Sequence, residues 1–439
     1  MMASGNLNIV HILPGTGGMV CGSCIRDVAL VRELKRRGHD TALVPLYLPL
    51  FTEQGDPSDT PIFFGGINVY LQQKFRWFRH TPGWLDRLLD RPSLLRMASR
   101  GGQMTSPRDL GELTLSMLRG QEGNQVKEID KLISWLESQP RPDVVCLSNG
   151  LLIGLAGALK KRLGCAVVCT LQGEDTFLDS LPQPYADQAW AELRAQAVHV
   201  DLFVPVSRFY GSVMQERLKL EDARFQVVEN GIDLAGFSMR AALPSPPVVG
   251  YLARMSPEKG LEVLVDAYLM IRRENRVPGL RLHVAGGRMS GDVSFVAKLE
   301  QRIKDAGYSG EVLFRPNLER EEKQAFLQGL TLLSVPAIYG EAFGLYLLEA
   351  MASGVPVVQP RHAAFPEIIA GTGGGRLYEP NSAEALADAW TELLRQPEEI
   401  EALGRAGRTA VENHFSVAAM ADRVLEGYTK AIALAGNEA

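Results

Sequence analysis

The sequence feature that most constrains the fold is a repeated alternation of short apolar runs, rich in β-branched residues, with helical stretches. In the first half of the chain, strands are predicted at 7–13, 40–47, 143–149, 165–172, 201–207 and 225–230. Helical patterns lie between them, for example over residues 24–38, which Gly38 closes. Continuous apolar strands separated by helices are typical of a parallel sheet covered on both faces. This half is therefore predicted to be a doubly wound α/β domain.

The alternation stops at a proline-rich segment and then restarts. Residues 231–250 contain three prolines and little periodicity, which is typical of a linker. The strands predicted after it are 248–254, 280–286, 312–316, 332–337 and 355–360. A length of 439 residues suits two domains of about 200 residues each. We predict two tandem Rossmann-like domains, 1–235 and 246–412, and a C-terminal helix within 413–439 that caps the second domain or crosses back to the first.

Composition excludes several classes of protein. Hydrophobic residues at 46% and charged residues at 22% are globular values, and a net charge of −5 argues against general nucleic-acid binding. No run of 18 apolar residues occurs, and the first residues lack the pattern of a secretory signal. Five cysteines, an odd number in a long chain, suit a reducing compartment. We expect a cytoplasmic protein.

One basic and aromatic segment does not follow the alternation. Residues 74–100 carry seven Lys/Arg against two Asp, together with two Trp and two Phe. Such a segment can contact an anionic membrane surface peripherally, on the inner face of the membrane for a cytoplasmic protein. The alternative is a helical insertion whose arginines are solvated. Pro82 and Pro92 favour this alternative because they interrupt any long amphipathic helix.

Two glutamates flank a helix start near residue 340. In the stretch YGEAFGLYLLEAMASGVPVV, Glu341 lies in a loop-like part and Glu349 in a good helix former that Gly354 and Pro356 end. Eight helical residues span about 12 Å, which matches the reach of a nucleotide sugar from its hexose hydroxyls to its ribose. The helix start between the two glutamates suits a diphosphate. For the spacing alone, the favoured explanation is a helix with an N-terminal acid and one solvated glutamate, because two glutamates recur by chance.

Two further clusters are expected at the carboxyl ends of strands. Arg254 and Lys259 lie in the turn after the first strand of the second domain, where two cations could neutralise a diphosphate. The stretch LPGTGGMVCG, residues 13–22, is a glycine-rich turn in which Gly17 and Gly18 let the backbone approach a ligand closely. It lacks both the full G-x-G-x-x-G pattern and a Walker lysine. Ligands of such sheets bind at these ends, so we expect the site in a cleft between the domains.

These motifs together resemble a known family. Arg254-x4-Lys259-Gly260, the run EAFGLYLLEAMASGVPVV from Glu341 with its E-x7-E spacing, and the stretch NGID at 230–233 are similar to the retaining GT-B glycosyltransferases of family 4. The likeness covers essentially all of the second domain. The opening of the first domain also resembles the starch and glycogen synthases. Those synthases carry a lysine where this chain has Gly15, which makes a polymer synthase less favoured.

The resemblance implies roles for individual residues. Glu341 holds the donor sugar hydroxyls and Glu349 the ribose, while Arg254 and Lys259 hold the diphosphate. The turn Phe343, Gly344, Leu345 adds main-chain N–H contacts, and the loop that contains Asn317 receives the base. In TLQGEDTF, Gln172 replaces the family's histidine while Gly173 and Asp175 remain. This departure affects the sugar and acceptor side of the site more than the donor side.

The expected activity is transfer of a hexose-type sugar from a nucleoside-diphosphate sugar to an acceptor, with retention of anomeric configuration. The acceptor is a glycan, a lipid or a small molecule. No Asp-x-Asp supports a metal, and we expect no cofactor beyond the sugar donor. Cys21 and Cys24 have metal or redox spacing, but no second pair with matching spacing accompanies them.

Two other functions fit the same architecture. A non-hydrolysing nucleotide-sugar epimerase uses acid/base carboxylates and needs no separate acceptor. The second is a catalytically weak nucleotide-sugar-binding protein, which would have no need of Arg254 and Lys259 together. Gln172, in place of the family's histidine, gives this possibility some support.

Overall fold

The computed structural model describes residues 5–15, 22–47 and 107–437. Two compact units divide the chain: the first contains the described residues up to Glu229 and the helix from Met420 onward, and the second spans Asn230–Ala419. Each unit contains one parallel sheet with helices around it, which confirms the predicted pair of doubly wound α/β domains.

The first unit contains a five-stranded sheet in the order β2-β1-β3-β4-β5, and every pair is parallel. Its strands β3, β4 and β5 are buried along their whole length, as expected for runs covered on both faces. The elements are β1 (Asn8–Leu13), α1 (Gly22–Arg36), β2 (Asp40–Pro45), α2 (Pro107–Leu118), α3 (Val126–Glu137), β3 (Val144–Leu147), α4 (Ala156–Leu163), β4 (Ala166–Leu171), α5 (Glu174–Ser180), α6 (Tyr185–Gln196), β5 (Leu202–Pro205) and α7 (Arg208–Leu218).

The second unit contains a six-stranded parallel sheet in the order β11-β10-β9-β6-β7-β8. Its elements are β6 (Val248–Leu252), α8 (Leu261–Arg273), β7 (Arg281–Gly286), α9 (Val293–Asp305), β8 (Val312–Pro316), α10 (Arg320–Gln328), β9 (Leu332–Leu333), α11 (Leu345–Ala352), β10 (Val357–Pro360), α12 (Phe365–Thr372), β11 (Gly375–Tyr378), α13 (Ala383–Leu394) and α14 (Pro397–His414). The last helix, α15 (Val417–Asn437), follows them.

The structure corrects two predicted strands. Residues 225–230 form only a single β-bridge, between Phe225 and Phe203. Backbone N–H groups of this segment donate to carbonyls of β5, but the hydrogen bonds do not continue into a ladder. The strand predicted at 332–337 is reduced to Leu332–Leu333. Beyond it, the N–H of Val335 donates to the Gln359 side chain instead of a backbone carbonyl, and Pro336 has no N–H to donate. Strand β11 was not predicted, because its four residues, GRLY, begin with glycine and carry little β signal.

The last helix is tied to the first strand by a buried polar contact. The hydroxyl of Tyr428 lies 2.8 Å from Nε2 of His11, and both side chains are buried. Burial, with a smaller contribution from the nearby Arg26 charge, lowers the pKa of His11 from 6.5 to about 3. His11 is therefore neutral in the folded protein at any ordinary pH, and the α15 helix packs on an uncharged imidazole.

This shift predicts part of the acid sensitivity of the protein. Because the pKa of His11 is lower in the folded than in the unfolded state, the unfolded chain binds the extra proton, and stability falls as the pH drops from 6.5 toward 3. Urea unfolding at pH 7.0 and 5.5 should show that wild type loses about 1.3 kcal/mol more than His11→Gln over this interval. Equal losses in the two proteins would contradict the buried, neutral imidazole.

Candidate active site

The candidate site of the second unit lies where its strand order reverses. Strand β6 pairs with β7 on one side and with β9 on the other, so the strand order reverses between β6 and β9. The chain leaves the carboxyl ends of these two strands toward opposite sides of the sheet. This position is the usual ligand site of an open parallel sheet. Arg254 and Lys259 follow β6, while Glu341 follows β9. The topology thus brings together residues some 80 positions apart in the sequence.

A glycine holds Lys259 against the neighbouring loop. Lys259 ends a 3₁₀ turn, and Gly260 follows it with a φ of +71°, in the left-handed region that favours glycine. A Cβ at Gly260 would lie 1.8 Å from the carbonyl oxygen of Pro336 in the loop after β9. No side chain fits there, so the close approach of the two loops depends on this glycine.

The approach brings the Lys259 ammonium onto the Glu341 carboxylate. Its Nζ lies 2.5 Å from Oε2 of Glu341, and the two side chains are only 19% and 11% exposed. The same Nζ contacts the hydroxyl of Tyr339 and lies 4.8 Å from the centre of that ring. The hydroxyl of Tyr346 donates to Oε2 of Glu341 at 2.9 Å. A nearly buried carboxylate is therefore neutralised by a cation and fixed by a tyrosine.

Glu341 lies in the loop four residues before the first residue of helix α11, and Glu349 lies within this helix, as the sequence predicts. Phe343 is buried, and Gly344 caps the helix with a φ of +91°. The first turn, from Leu345, carries N–H groups that have no partner within the helix. This end of α11 therefore offers hydrogen-bond donors and a partial positive charge next to Lys259.

Arg254 is held by a residue that sequence reasoning missed. Its Nε and Nη2 donate to the carboxylate of Asp292 at 3.0 and 2.9 Å. Burial alone would raise the pKa of Asp292, but the bonds from Arg254 and from the Met289 N–H lower it. The side chain of Arg254 is 49% exposed. Asp292 thus fixes the arginine through Nε and Nη2, and these bonds do not use Nη1.

Glu349 and Asn317 are each held by contacts within the second unit. The carboxylate of Glu349 accepts from Nζ of Lys323, on α10, at 2.7 Å. Asn317 has a φ of +57°; its N–H donates to the carbonyl of Gly286, and its side-chain oxygen accepts from the N–H of Arg288 at 3.1 Å. Asn317 therefore fixes the loop after β8 to the loop after β7. Neither Lys323 nor the contacts of Asn317 carry a signal in the sequence.

In the first unit, the three predicted sugar-side residues follow β4 and flank Glu174 in the sequence, and the carboxylate of Glu174 is buried. This side chain accepts from the backbone N–H groups of Gly150, Gln172 and Gly173 and from the hydroxyl of Tyr210. Burial raises its pKa, an effect that these hydrogen bonds oppose. The side-chain nitrogen of Gln172 donates to the Ser148 carbonyl at 2.6 Å.

Asp175 directly follows this carboxylate, and its own N–H donates to the hydroxyl of Tyr210. Oδ1 of Asp175 is buried without a hydrogen-bond partner within the described structure. Gln172 and Gly173 are therefore held in place by Glu174, while Asp175 keeps an acceptor atom for another group. Glu174 was not among the predicted site residues, because its burial is invisible in TLQGEDTF.

Several predictions fall outside the described residues. Gly17, Gly18, Cys21 and the segment 74–100 belong to the ranges that the structure leaves out. Cys24 is buried on α1. Within residues 5–15, 22–47 and 107–437, no three His, Cys, Asp or Glu side chains are grouped so that they could hold a metal ion. In the same ranges, every helix is too short or too polar to cross a lipid bilayer.

Comparisons with known proteins point to one family. The family model "Glycosyl transferases group 1" matches residues 239–410, and "Glycosyltransferase Family 4" matches residues 113–235. A D-inositol 3-phosphate glycosyltransferase of Mycobacteroides abscessus is 31% identical over 48% of each chain. A GDP-mannose-dependent alpha-(1-6)-phosphatidylinositol monomannoside mannosyltransferase of Mycolicibacterium smegmatis is 28% identical over 58% of this chain and 68% of its own. The chain spans about half the length of the first of these relatives.

Solved structures share the fold over nearly the whole chain. Sucrose-phosphate synthase from Thermosynechococcus elongatus superposes with a TM-score of 0.72 and 18% identity, covering 98% of this chain and 100% of that one. The HepE protein of Anabaena, in complex with UDP, gives a TM-score of 0.66 and 15% identity over 96% and 99% of the two chains. At these identities the likeness establishes the two-domain architecture.

The contact between Lys259 and Glu341 predicts a thermodynamic coupling. Lys259→Met leaves a nearly buried carboxylate without its cation, so we expect a loss of about 1–3 kcal/mol in the free energy of unfolding. The Lys259→Met/Glu341→Gln double variant should lose about 1 kcal/mol less than the sum of the single variants. Urea unfolding measures this cycle.

The matched control for this cycle is Lys298→Met, because Lys298 is exposed on α9 of the same unit. Its stability should remain within about 0.5 kcal/mol of wild type. Strict additivity of the two substitutions at the candidate site would mean that the ammonium and the carboxylate do not interact in solution.

Proposed function

The chain belongs to the family 4 glycosyltransferases of the GT-B fold, and we propose that it transfers a hexose-type sugar from a nucleoside-diphosphate sugar to an acceptor with retention of anomeric configuration. The observation that carries the proposal is the contact of Lys259 with Glu341 beside the start of α11. A carboxylate for hydroxyl groups, a cation and helix N–H groups for a diphosphate thus meet at the switch point of one sheet.

Each part of the donor is matched by a group at the carboxyl end of the second unit's sheet. The diphosphate is assigned to Lys259, to Arg254 and to the N–H groups of the Phe343–Leu345 turn. An ammonium has three donors, so Lys259 can keep its bond to Glu341 and still donate to a phosphate oxygen. Arg254, fixed by Asp292 and half exposed, offers Nη1. Glu349 is assigned to the ribose, and the loop with Asn317 to the base.

Departure of the nucleoside diphosphate is the step that these charges favour. Negative charge develops on the leaving phosphate as the sugar becomes oxocarbenium-like, and fixed cations and helix N–H groups stabilise it without reorganisation. We assign this role to Lys259, Arg254 and the start of α11, so that no metal is needed. Attack by the acceptor hydroxyl on the same face, with its proton passing to the leaving phosphate, gives retention. Glu341 positions the sugar.

The sugar and acceptor side is assigned to the first unit. Gln172, Gly173 and Asp175 follow the carboxyl end of β4 there, and the buried oxygen of Asp175 can accept a hydroxyl. The relatives named above act on an inositol phosphate and on a phosphatidylinositol mannoside, by their names. Phosphorylated polyols and their lipid forms are therefore the acceptors to be tested first for this chain.

Donor binding tests the proposal most simply. Calorimetry against UDP, GDP, ADP and their glucose and mannose conjugates should find one base that binds wild type. Lys259→Ala should weaken binding of that nucleoside diphosphate at least about tenfold, because a partly desolvated charge pair is lost. Lys298→Ala, which removes an exposed lysine of the same unit, should bind as wild type does. No binding across the panel by the folded protein would refute the donor site.

The stereochemistry and metal dependence of the reaction provide a second test. With an α-linked donor, NMR of the product should show an α-linkage, and turnover should persist in excess EDTA. A β-linked product, or activity that EDTA abolishes and magnesium restores, would refute the proposed mechanism. Conversion of the free nucleotide sugar to its epimer in the absence of acceptor would instead indicate an epimerase.

A further inference from the structure

The proposed function assigns no role to the buried side chain of Tyr346, which lies at the site. This residue is the second of helix α11 and is 8% exposed. Its hydroxyl donates to Oε2 of Glu341 at 2.9 Å, and its ring centre lies 5.7 Å from Nζ of Lys259. A tyrosine therefore contacts both members of the charge pair on which the proposed donor site depends.

The glycine at the start of the helix makes room for this tyrosine. A Cβ at Gly344 would lie 3.2 Å from Cζ and 3.3 Å from the hydroxyl oxygen of Tyr346. Both distances are shorter than ordinary carbon contacts, so any larger residue would push the phenol away from the carboxylate. The φ of +91° at Gly344 and the placement of the Tyr346 hydroxyl are thus two consequences of one glycine.

The hydrogen bonds that the Glu341 carboxylate accepts fall on one of its two oxygens, Oε2. Lys259 and Tyr346 both donate to Oε2, and no hydrogen bond within the described residues involves Oε1. Burial, together with the charge of Glu341, raises the pKa of Tyr346 well above 10, so the phenol keeps its proton and acts as the donor. With both donors on one oxygen, rotation of the carboxylate is restricted.

We propose that Tyr346 is a positioning residue that fixes the rotation of the Glu341 carboxylate, so that Oε1 is presented to the hydroxyl groups of the donor sugar. The inference rests on the proposed function, since it assumes that Glu341 meets the sugar. Tyr346 touches neither sugar nor phosphate in this account. It acts through Glu341 and determines how selectively the site distinguishes a nucleotide sugar from the bare nucleoside diphosphate.

A positioning role of Tyr346 affects the affinity for the nucleotide sugar but not the affinity for the nucleoside diphosphate. A general loss of structure would reduce both affinities together. The diphosphate is assigned to Lys259, Arg254 and the helix start, none of which loses its charge or its N–H groups when the phenol hydroxyl is removed. The sugar depends on the orientation of Oε1. Tyr346→Phe should therefore weaken recognition of the sugar and leave recognition of the nucleoside diphosphate unchanged.

The test uses the full chain and the nucleotide that binds wild type in the UDP, GDP and ADP panel. Calorimetry gives the Kd of the nucleoside diphosphate and of its sugar conjugate, and release of the sugar, to water or acceptor, gives kcat/KM. For Tyr346→Phe we expect the Kd of the diphosphate to stay within about twofold of wild type. The Kd of the sugar conjugate should rise about tenfold, with a similar or larger loss in kcat/KM.

Tyr268→Phe is the matched control, because Tyr268 is a buried tyrosine on α8 whose hydroxyl meets only the Leu280 carbonyl, at 3.4 Å, among the contacts described. It should leave both affinities unchanged. Equal weakening of diphosphate and sugar conjugate by Tyr346→Phe, or no change in either, would overturn the positioning role while the proposed function stands. Failure of wild type to bind any nucleotide or conjugate would overturn the proposed function and this inference with it.

Discussion

The interaction on which the second unit's site depends is the contact of the Lys259 ammonium with the Glu341 carboxylate. A nearly buried carboxylate is unfavourable unless it is paired and hydrogen-bonded, and here Lys259 and Tyr346 provide both. The pair joins the loop after β6 to the loop after β9, across the point where the strand order reverses. Its geometry requires glycine at two positions. A side chain at Gly260 would clash with the Pro336 carbonyl, and a side chain at Gly344 would crowd the phenol of Tyr346. The charged side chains proposed to bind the diphosphate therefore lie where glycine lets the loops after β6 and β9 approach each other closely.

A similar solution appears in the first unit. Glu174 lies buried after β4, and it too accepts from a buried tyrosine, Tyr210, together with three backbone N–H groups. Within the described part of the chain no cation contacts this carboxylate, and burial raises its pKa. The first carboxylate thus organises a loop, whereas the second is paired with a cation and is proposed to meet substrate. In each unit a tyrosine on a helix fixes a carboxylate at the carboxyl end of the sheet, which keeps the neighbouring polar residues in defined positions.

Much of this arrangement could be predicted from sequence because it depends on local patterns. Apolar runs alternating with helices gave both sheets, and the spacing of Glu341 from Glu349 placed one before α11 and the other within it. What could not be predicted depends on contacts between distant segments. The pairing of Arg254 with Asp292, 38 positions away, has no local signature. The role of Tyr346 was hidden for a different reason: inside an apolar run, a tyrosine is indistinguishable from a packing residue until its hydroxyl is placed.

The most direct test of the account is a crystal structure of the protein with the nucleoside diphosphate sugar that it binds. The account predicts that the diphosphate lies at the start of α11 against Lys259 and Arg254, that sugar hydroxyls donate to Oε1 of Glu341, and that the ribose meets Glu349. Oε2 should keep its bonds to Lys259 and Tyr346. A nucleotide bound with its diphosphate away from the α11 start, or a sugar that makes no contact with Glu341, would contradict it.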